Sequence, residues 1–283
     1  MKEKKFHPCF LLIGLIVAFI LNYSFVMPRV LLVSDSNYKE STIDPQLGKI
    51  RLTLFFKGLS LQVLTEDEIS NTWKQAVRER DHYVVLSPSL SYGIKKASGN
   101  YRLISLSSSI QDAYLVAQRS GDMAAWTQLG TLLASENKSV YLIDSSEWRP
   151  SVPRSDAFIA GYQDSHASLV RKQLSGEATS IIANTISYEI QTHSYDCLVC
   201  PGSLILSQLH FLDETPPLFY LSADQFQSVE REAIGGVIGD DLPAFFAHIK
   251  EGQTLLPQHF MNRQEGLKNF VQLGWSNLKA KLF

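Results

Sequence analysis

The chain is poor in the features that usually announce a chemistry. It contains no G-x-S-x-G, Walker A, H-E-x-x-H or G-x-G-x-x-G pattern, so the common nucleophile, phosphate-loop, zinc-protease and dinucleotide signatures are absent. Its seven histidines are scattered, and each reads as a surface or capping residue. Outside the N-terminus it has no cluster of Lys or Arg, and the formal net charge is −2, which argues against a nucleic-acid binder. No fixed-period repeat and no Pro-rich or Gly/Ser-rich tract is found. Cysteines number three, and only Cys197 and Cys200, in "DCLVCPGS", stand close together. A zinc site would need two further ligands at compatible spacing, and His193 and His210 are the only near ones. A redox pair needs its first thiol at a helix N-terminus, whereas here Pro201-Gly202 follow the second. The segment reads as a strand leaving its sheet, with the two thiols on opposite faces because side chains alternate.

What is present is a globular composition, 45% apolar and 19% charged over 283 residues, enough for one large domain or two lobes of about 100–150 residues. The N-terminus stands apart. "MKEKKF" places Lys2, Lys4 and Lys5 before the uncharged run "CFLLIGLIVAFIL", residues 9–21. A basic segment before an apolar run is the pattern of an export signal, with the lysines kept in the cytoplasm. With "NYSFVM" the run extends to roughly the 17–20 residues that a bilayer needs. No small-x-small cleavage site follows, so residues 1–27 read as an uncleaved signal anchor. A cleaved signal peptide and a buried core helix are the alternatives.

Beyond the anchor, apolar runs ending in small polar residues alternate with amphipathic segments. Strands are expected at "RVLLVSDS", "LQVLT", "HYVVLSPS", "YRLISLSSS", "SVYLIDSSEW", "TSIIANT", "CLVCPGS", "PLFYLSAD" and "AIGGVIGDD". Helices are expected at 44–59, 66–80, 121–137 and 155–165, in "LILSQLHFL" and "DLPAFFAHIKEG", and in the tail. Nearly continuous apolar strands are covered on both faces, which with intervening helices indicates parallel βαβ units in doubly wound sheets. Ligands bind such sheets at the carboxyl ends of the strands. The loops there supply Asp35, Asn37 and Tyr38, then Ser87, Trp148, Ser203, Asp224 and Asp240. They suit hydrogen bonding to a neutral polar ligand, with Trp148 placed to stack on a ring. Asp241, ahead of "LPAFF", reads as a helix N-cap.

The strand–helix series restarts near residue 121. In this order, "GDMAAWTQLGTLLASENKSVYLID", "RSDAFIAGYQDS", "DCLVCPGSLILSQL", "PLFYLSADQF" and "VIGDDLPAFFAHIKEG" resemble successive segments of the type I periplasmic-binding superfamily. That superfamily comprises sugar and nucleoside receptors and the sensor domains of LacI-type regulators. "FIAG" and "GDMAA" are similar to the nucleoside-binding, basic membrane protein branch. The resemblance implies two α/β lobes joined by a hinge: 28–120 plus 223–258, and 121–222, with a C-terminal helix over 259–283. It places Arg154 at the cleft, where a guanidinium donates a fork of hydrogen bonds, and Asp224 at the hinge. The function implied is capture of a small polar ligand, a sugar or nucleoside-like molecule, without catalysis or cofactor, outside the cytoplasm and for an ABC-type transporter. The alternative is a membrane-tethered ligand sensor or accessory module acting on a membrane partner; a hydrolase or transferase is disfavoured.

Overall fold

The computed structural model describes residues 14, 17–18, 26–65, 77, 79–91, 100–106, 113–146, 151–163, 165–175, 179–202, 205–210, 217–229, 233–252 and 254–262. The expected anchor, residues 1–27, lies outside the described residues except at positions 14, 17, 18, 26 and 27, as does the helix expected over 66–80 except at Val77, Glu79 and Arg80. Among the described residues no helix is long and apolar enough to cross a membrane.

Two mainly parallel sheets organise the chain. The first contains β1 (Arg29–Ser34), β2 (Ser60–Thr65), β3 (Asp81–Leu86), β4 (Arg102–Ser105) and β5 (Leu115–Val116), in the order β2-β1-β3-β4-β5. After β6 (Gln118–Arg119), the second contains β7 (Val140–Ser145), β8 (Leu169–Leu174), β9 (Cys197–Gly202), β10 (Leu218–Ser222) and β11 (Ile234–Asp240). Following the short β12 (Leu255–Leu256), β13 (Gln258–Asn262) completes it, in the order β13-β11-β10-β9-β7-β8. All its pairings are parallel except that of β13 with β11. Each sheet thus has the doubly wound 2-1-3-4-5 order, in which a crevice opens between the first and third strands where the winding reverses.

The sequence explains why these strands lie inside. Val30, Leu31, Leu32 and Val33 are fully buried, Val30 and Leu32 in one apolar cluster and Leu31 and Val33 in another on the opposite face. Cys197 and Cys200 follow the same rule, one thiol in each of the two clusters flanking the second sheet. Both are free and buried, and burial pushes the Cys197 thiol up to about 12 and raises Cys200 as well. At the start of the first sheet Arg29 pairs in a bidentate fashion with Asp81, its Nη2 donating to Oδ2 at 2.7 Å, and also donates to Gln62.

The helices are α1 (Leu47–Phe56), α2 (Met123–Ser135), α3 (Ser151–Tyr162), α4 (Ser180–His193) and α5 (Leu242–Ala247). The last begins on the expected cap, Asp241 accepting from the Ala244 N–H at 3.0 Å, with proline in its first turn. Helices α2 and α3 touch through glycine: a Cβ on Gly130 would stand 2.2 Å from the Phe158 carbonyl oxygen, and one on Gly161 2.1 Å from that of Thr127.

Several expectations are corrected. "TSIIANT" is the start of α4, not a strand. Its β-branched residues mislead, but Ala183, Ile186 and Ile190 recur on one buried face and the Thr179 side chain caps the helix by accepting from the Ile182 N–H. "LILSQLHFL" holds only a 3-10 turn, Leu206–Gln208. Strand β8 was not expected, because an edge strand carrying Arg171 and Lys172 has no apolar run. The expected lobe boundaries also shift. Ile234–Asp240 pairs with β10 and β13 and so belongs to the second sheet, whereas Leu242, Phe245, Phe246, Ile249 and Leu256 pack into the first lobe's core. Residues 259–262, expected to open the C-terminal helix, instead belong to the antiparallel strand Gln258–Asn262 on β11, where Gly236 leaves room for the Phe260 ring. Residues 263–283 lie outside the described residues.

Candidate ligand-binding cleft

The chain passes between the lobes near 119–122, 240–242 and 256–258, and these passages are tied together. Strand β12 pairs with β6, the Ser120 N–H donates to the Leu256 carbonyl (2.9 Å), and the Asp241 N–H donates to Pro257 (2.7 Å). A cavity of about 280 Å3 lies beside them, at the carboxyl ends of both sheets. Asp35, Asn37, Tyr38 and Ser89 line it from the first lobe; Arg154, Ser222, Asp224 and Asp240 line it from the second; Arg119 and Gln258 come from the passages.

Asp35 follows β1 at the crevice between β1 and β3. Its Oδ1 accepts from the Tyr38 N–H (2.9 Å), capping the short turn Ser36–Tyr38. Its Oδ2 accepts from Ser87 (3.1 Å) and from Ser89, both beyond β3. Burial alone would raise this carboxyl, but the hydrogen bonds from Ser89, the Tyr38 backbone and Ser87 outweigh it and hold the group below its ordinary value. Ser87 is fully buried and is linked to the cleft through Asp35 and Ser89. The Asn37 Oδ1 is buried and accepts no hydrogen bond from the described residues.

Asp240 ends β11 and is 1% exposed. Its Oδ2 accepts from the Tyr38 hydroxyl (2.7 Å) and from Arg119 Nη2 (2.8 Å), and its Oδ1 from Gln258 Nε2 (3.0 Å). Its carbonyl accepts from Gln46 Nε2 (2.8 Å). One residue of the second sheet therefore gathers donors from the first lobe and both neighbouring passages. Burial pushes the Tyr38 hydroxyl well up, and Asp240 adds to this, so Tyr38 is a neutral donor. Burial disfavours the Arg119 cation, but Asp240 outweighs it and holds the guanidinium charged.

Arg154, on α3, does reach the cleft, but its Nη2 pairs with Asp122 (2.6 Å) and its Nη1 donates to the Pro201 carbonyl (3.0 Å). Asp122, at the start of α2, also accepts from the Trp126 indole (3.3 Å). Behind Arg154, Ser151 donates to the Gly202 carbonyl and accepts from the Ser145 N–H, both at 3.0 Å, bridging β7 and β9 at the second lobe's crevice. Asp224 is exposed at the first turn after β10, with no hydrogen bond or ion pair from the described residues. Trp148 and Ser203 lie outside the described residues.

Six of the expected site residues, Asp35, Asn37, Tyr38, Arg154, Asp224 and Asp240, are thus brought to one cavity. Sequence reasoning missed Arg119, Gln258 and Ser89. Arg119 sits on a two-residue strand with no local pattern, whereas Ser89 was within sight in the serine-rich loop after β3. Among the described residues no group of three His, Cys, Asp or Glu side chains could hold a metal ion.

No family model matches the chain, and no curated protein matches it. Solved structures do. They include an arabinose-binding protein from Geobacillus stearothermophilus, 10% identical with a TM-score of 0.46, the match covering 86% of this chain and 99% of that one. A periplasmic solute-binding protein of an ABC transporter from Actinobacillus succinogenes, with bound D-allose, is 10% identical at a TM-score of 0.44, covering 86% and 99%. A LacI transcriptional regulator from Rhodococcus is 11% identical at a TM-score of 0.39, covering 83% and 96%.

Proposed function

We propose that this protein captures a small polar ligand, sugar-like or nucleoside-like, in the interlobe cleft and performs no chemistry on it. The observation that carries the reading is the cavity at the reversal point of two doubly wound sheets, walled by polar groups from both lobes. Passages bonded side by side form a hinge about which the lobes can close, excluding water and aligning donors and acceptors around a ligand. The basic segment and uncharged run at the N-terminus support export, with the body outside the cytoplasm and the run as its tether. A role in delivering the ligand to an ABC-type transporter is the finer part of this proposal.

Thermal unfolding of the full chain against sugars, nucleosides and small amino-acid-like compounds tests the reading. A ligand that binds only the folded state adds about 2.7 kcal/mol at a hundredfold excess over Kd. A selective rise for one chemical class supports capture in the cleft. A panel without any rise refutes it and turns attention to the membrane-tethered accessory reading.

A further inference from the structure

The charge left over in the cleft has a definite sign. Both arginines that face it are committed within the protein, Arg119 to Asp240 at 2.8 Å and Arg154 to Asp122 at 2.6 Å. A carboxylate or phosphate entering the cleft would have to share a guanidinium already neutralised, beside further carboxylates. Three acceptor groups also line the cleft. Asp35 takes hydroxyl and backbone donors but no cation among the described residues, and its hydrogen bonds keep it ionised. Asp224, after β10 of the second sheet, makes no hydrogen bond or contact ion pair among the described residues, although Arg119 lies within electrostatic reach of it. The Asn37 Oδ1 adds a buried acceptor without a donor.

Closure of the lobes removes water from these groups, and an ionised carboxylate withdrawn from water is costly unless a cation compensates it. A neutral polyol would satisfy hydrogen bonds but leave Asp35 uncompensated and Asp224 sharing the Arg119 charge with Asp240. A ligand bearing a positive charge removes that cost and offers N–H donors in the directions the acceptors require. We propose that the ligand carries a protonated amine among its hydroxyls, as an amino sugar does, and bears no carboxylate or phosphate. This rests on the small-ligand reading given above and adds the charge class.

Charge triplets on a shared ring frame provide the test: glucose, glucosamine and glucuronate, with the corresponding galacto and manno sets. Affinities are measured by titration calorimetry on the full chain at about pH 6, where the amine is protonated and carboxylates are ionised. On the frame that binds, the amine should be at least about tenfold tighter than its neutral parent, with the uronate weakest, and added salt should narrow the gap. Asp224→Asn, at an exposed position, should reduce amine affinity by roughly ten- to hundredfold, the range of a charge-assisted hydrogen bond. The unfolding midpoint of the unliganded variant should stay that of the parent. A neutral sugar or a uronate binding as tightly as its amine overturns the charge class while leaving ligand capture intact. So does an amine preference unchanged in Asp224→Asn. If neither the triplets nor the wider panel binds, ligand capture itself fails, and the charge class with it.

Discussion

Replacing Gly161 by alanine sets two opposite physical effects against each other. In an isolated helix the change is favourable by about 1 kcal/mol, because glycine has the greater backbone freedom to lose. In this protein the added methyl would stand 2.1 Å from the Thr127 carbonyl oxygen, 2.9 Å from its carbon and 3.0 Å from the Thr131 nitrogen. A carbon–oxygen contact needs about 3.3 Å, so the helices must part by roughly 1.2 Å. The obstructing atoms are backbone, so no rotamer relieves them. Gly130 opposes the Phe158 carbonyl in the same seam and leaves no slack. Overpacking of this kind costs about 1–3 kcal/mol and occasionally more. Net of propensity, the variant should lose up to about 2 kcal/mol, a fall of up to roughly 8 °C in the unfolding midpoint. The seam also fixes the relation of Arg154 on α3 to Asp122 at the head of α2, so ligand affinity should fall with stability. Thermal unfolding followed by circular dichroism reads the first effect and calorimetric titration the second. A variant more stable than the parent would refute the close-contact argument, because only helix propensity would then be acting.

Other perturbations probe different layers. Asp240→Ala leaves Tyr38, Arg119 and Gln258 without their shared acceptor and should cost about 2–4 kcal/mol in urea unfolding, discounted for the half-exposed Arg119; a cost under about 0.5 kcal/mol would show that the cluster contributes little. Asp81→Ala strands the buried Arg29 at the far end of the first sheet and should cost about 3–5 kcal/mol, with ligand affinity unchanged in the folded fraction. Cys197 and Cys200 should resist alkylation at neutral pH until denaturant is added, as read by mass spectrometry of labelled peptides; rapid labelling of either would contradict its burial. Burial holds His259 below its ordinary value even beside Asp241, so the unfolded chain binds a proton that the folded one refuses. Stability should therefore fall as pH drops through the ordinary histidine range toward the lowered value, and His259→Gln should flatten that part of the profile.

The parts of the fold legible in the sequence are those where burial is one-dimensional. The run Val30–Val33 is apolar at every position because the strand is covered on both faces, and Asp241 followed by Leu-Pro names its helix before any coordinate does. Legibility fails where local preference and tertiary context conflict. Ile181, Ile182 and Thr185 suggest a strand, yet the face formed by Ala183, Ile186 and Ile190 packs on the second sheet as a helix. It fails again where structure is made by pairing alone, as in β6 and β12, two residues each, held to one another across nearly half the chain. The site divides in the same way. Asp35 can be read as a polar residue ending an apolar strand, but no sequence pattern shows that Arg119 meets Asp240, or that Asp240 is largely occupied by the protein's own donors.

The route of the chain has a consequence for synthesis. The first lobe begins at β1, but its core includes Leu242, Phe245, Phe246, Ile249 and Leu256, made only after the entire second sheet except its last strand. A ribosome emitting this protein releases a first lobe whose apolar face stays open while about half the chain is still to come, and contacts of such long sequence separation close slowly. The nascent chain thus carries an unfinished lobe in front of one that can mature earlier. A chaperone that recognises exposed apolar surface would bind the amino-terminal third and be displaced when α5 arrives.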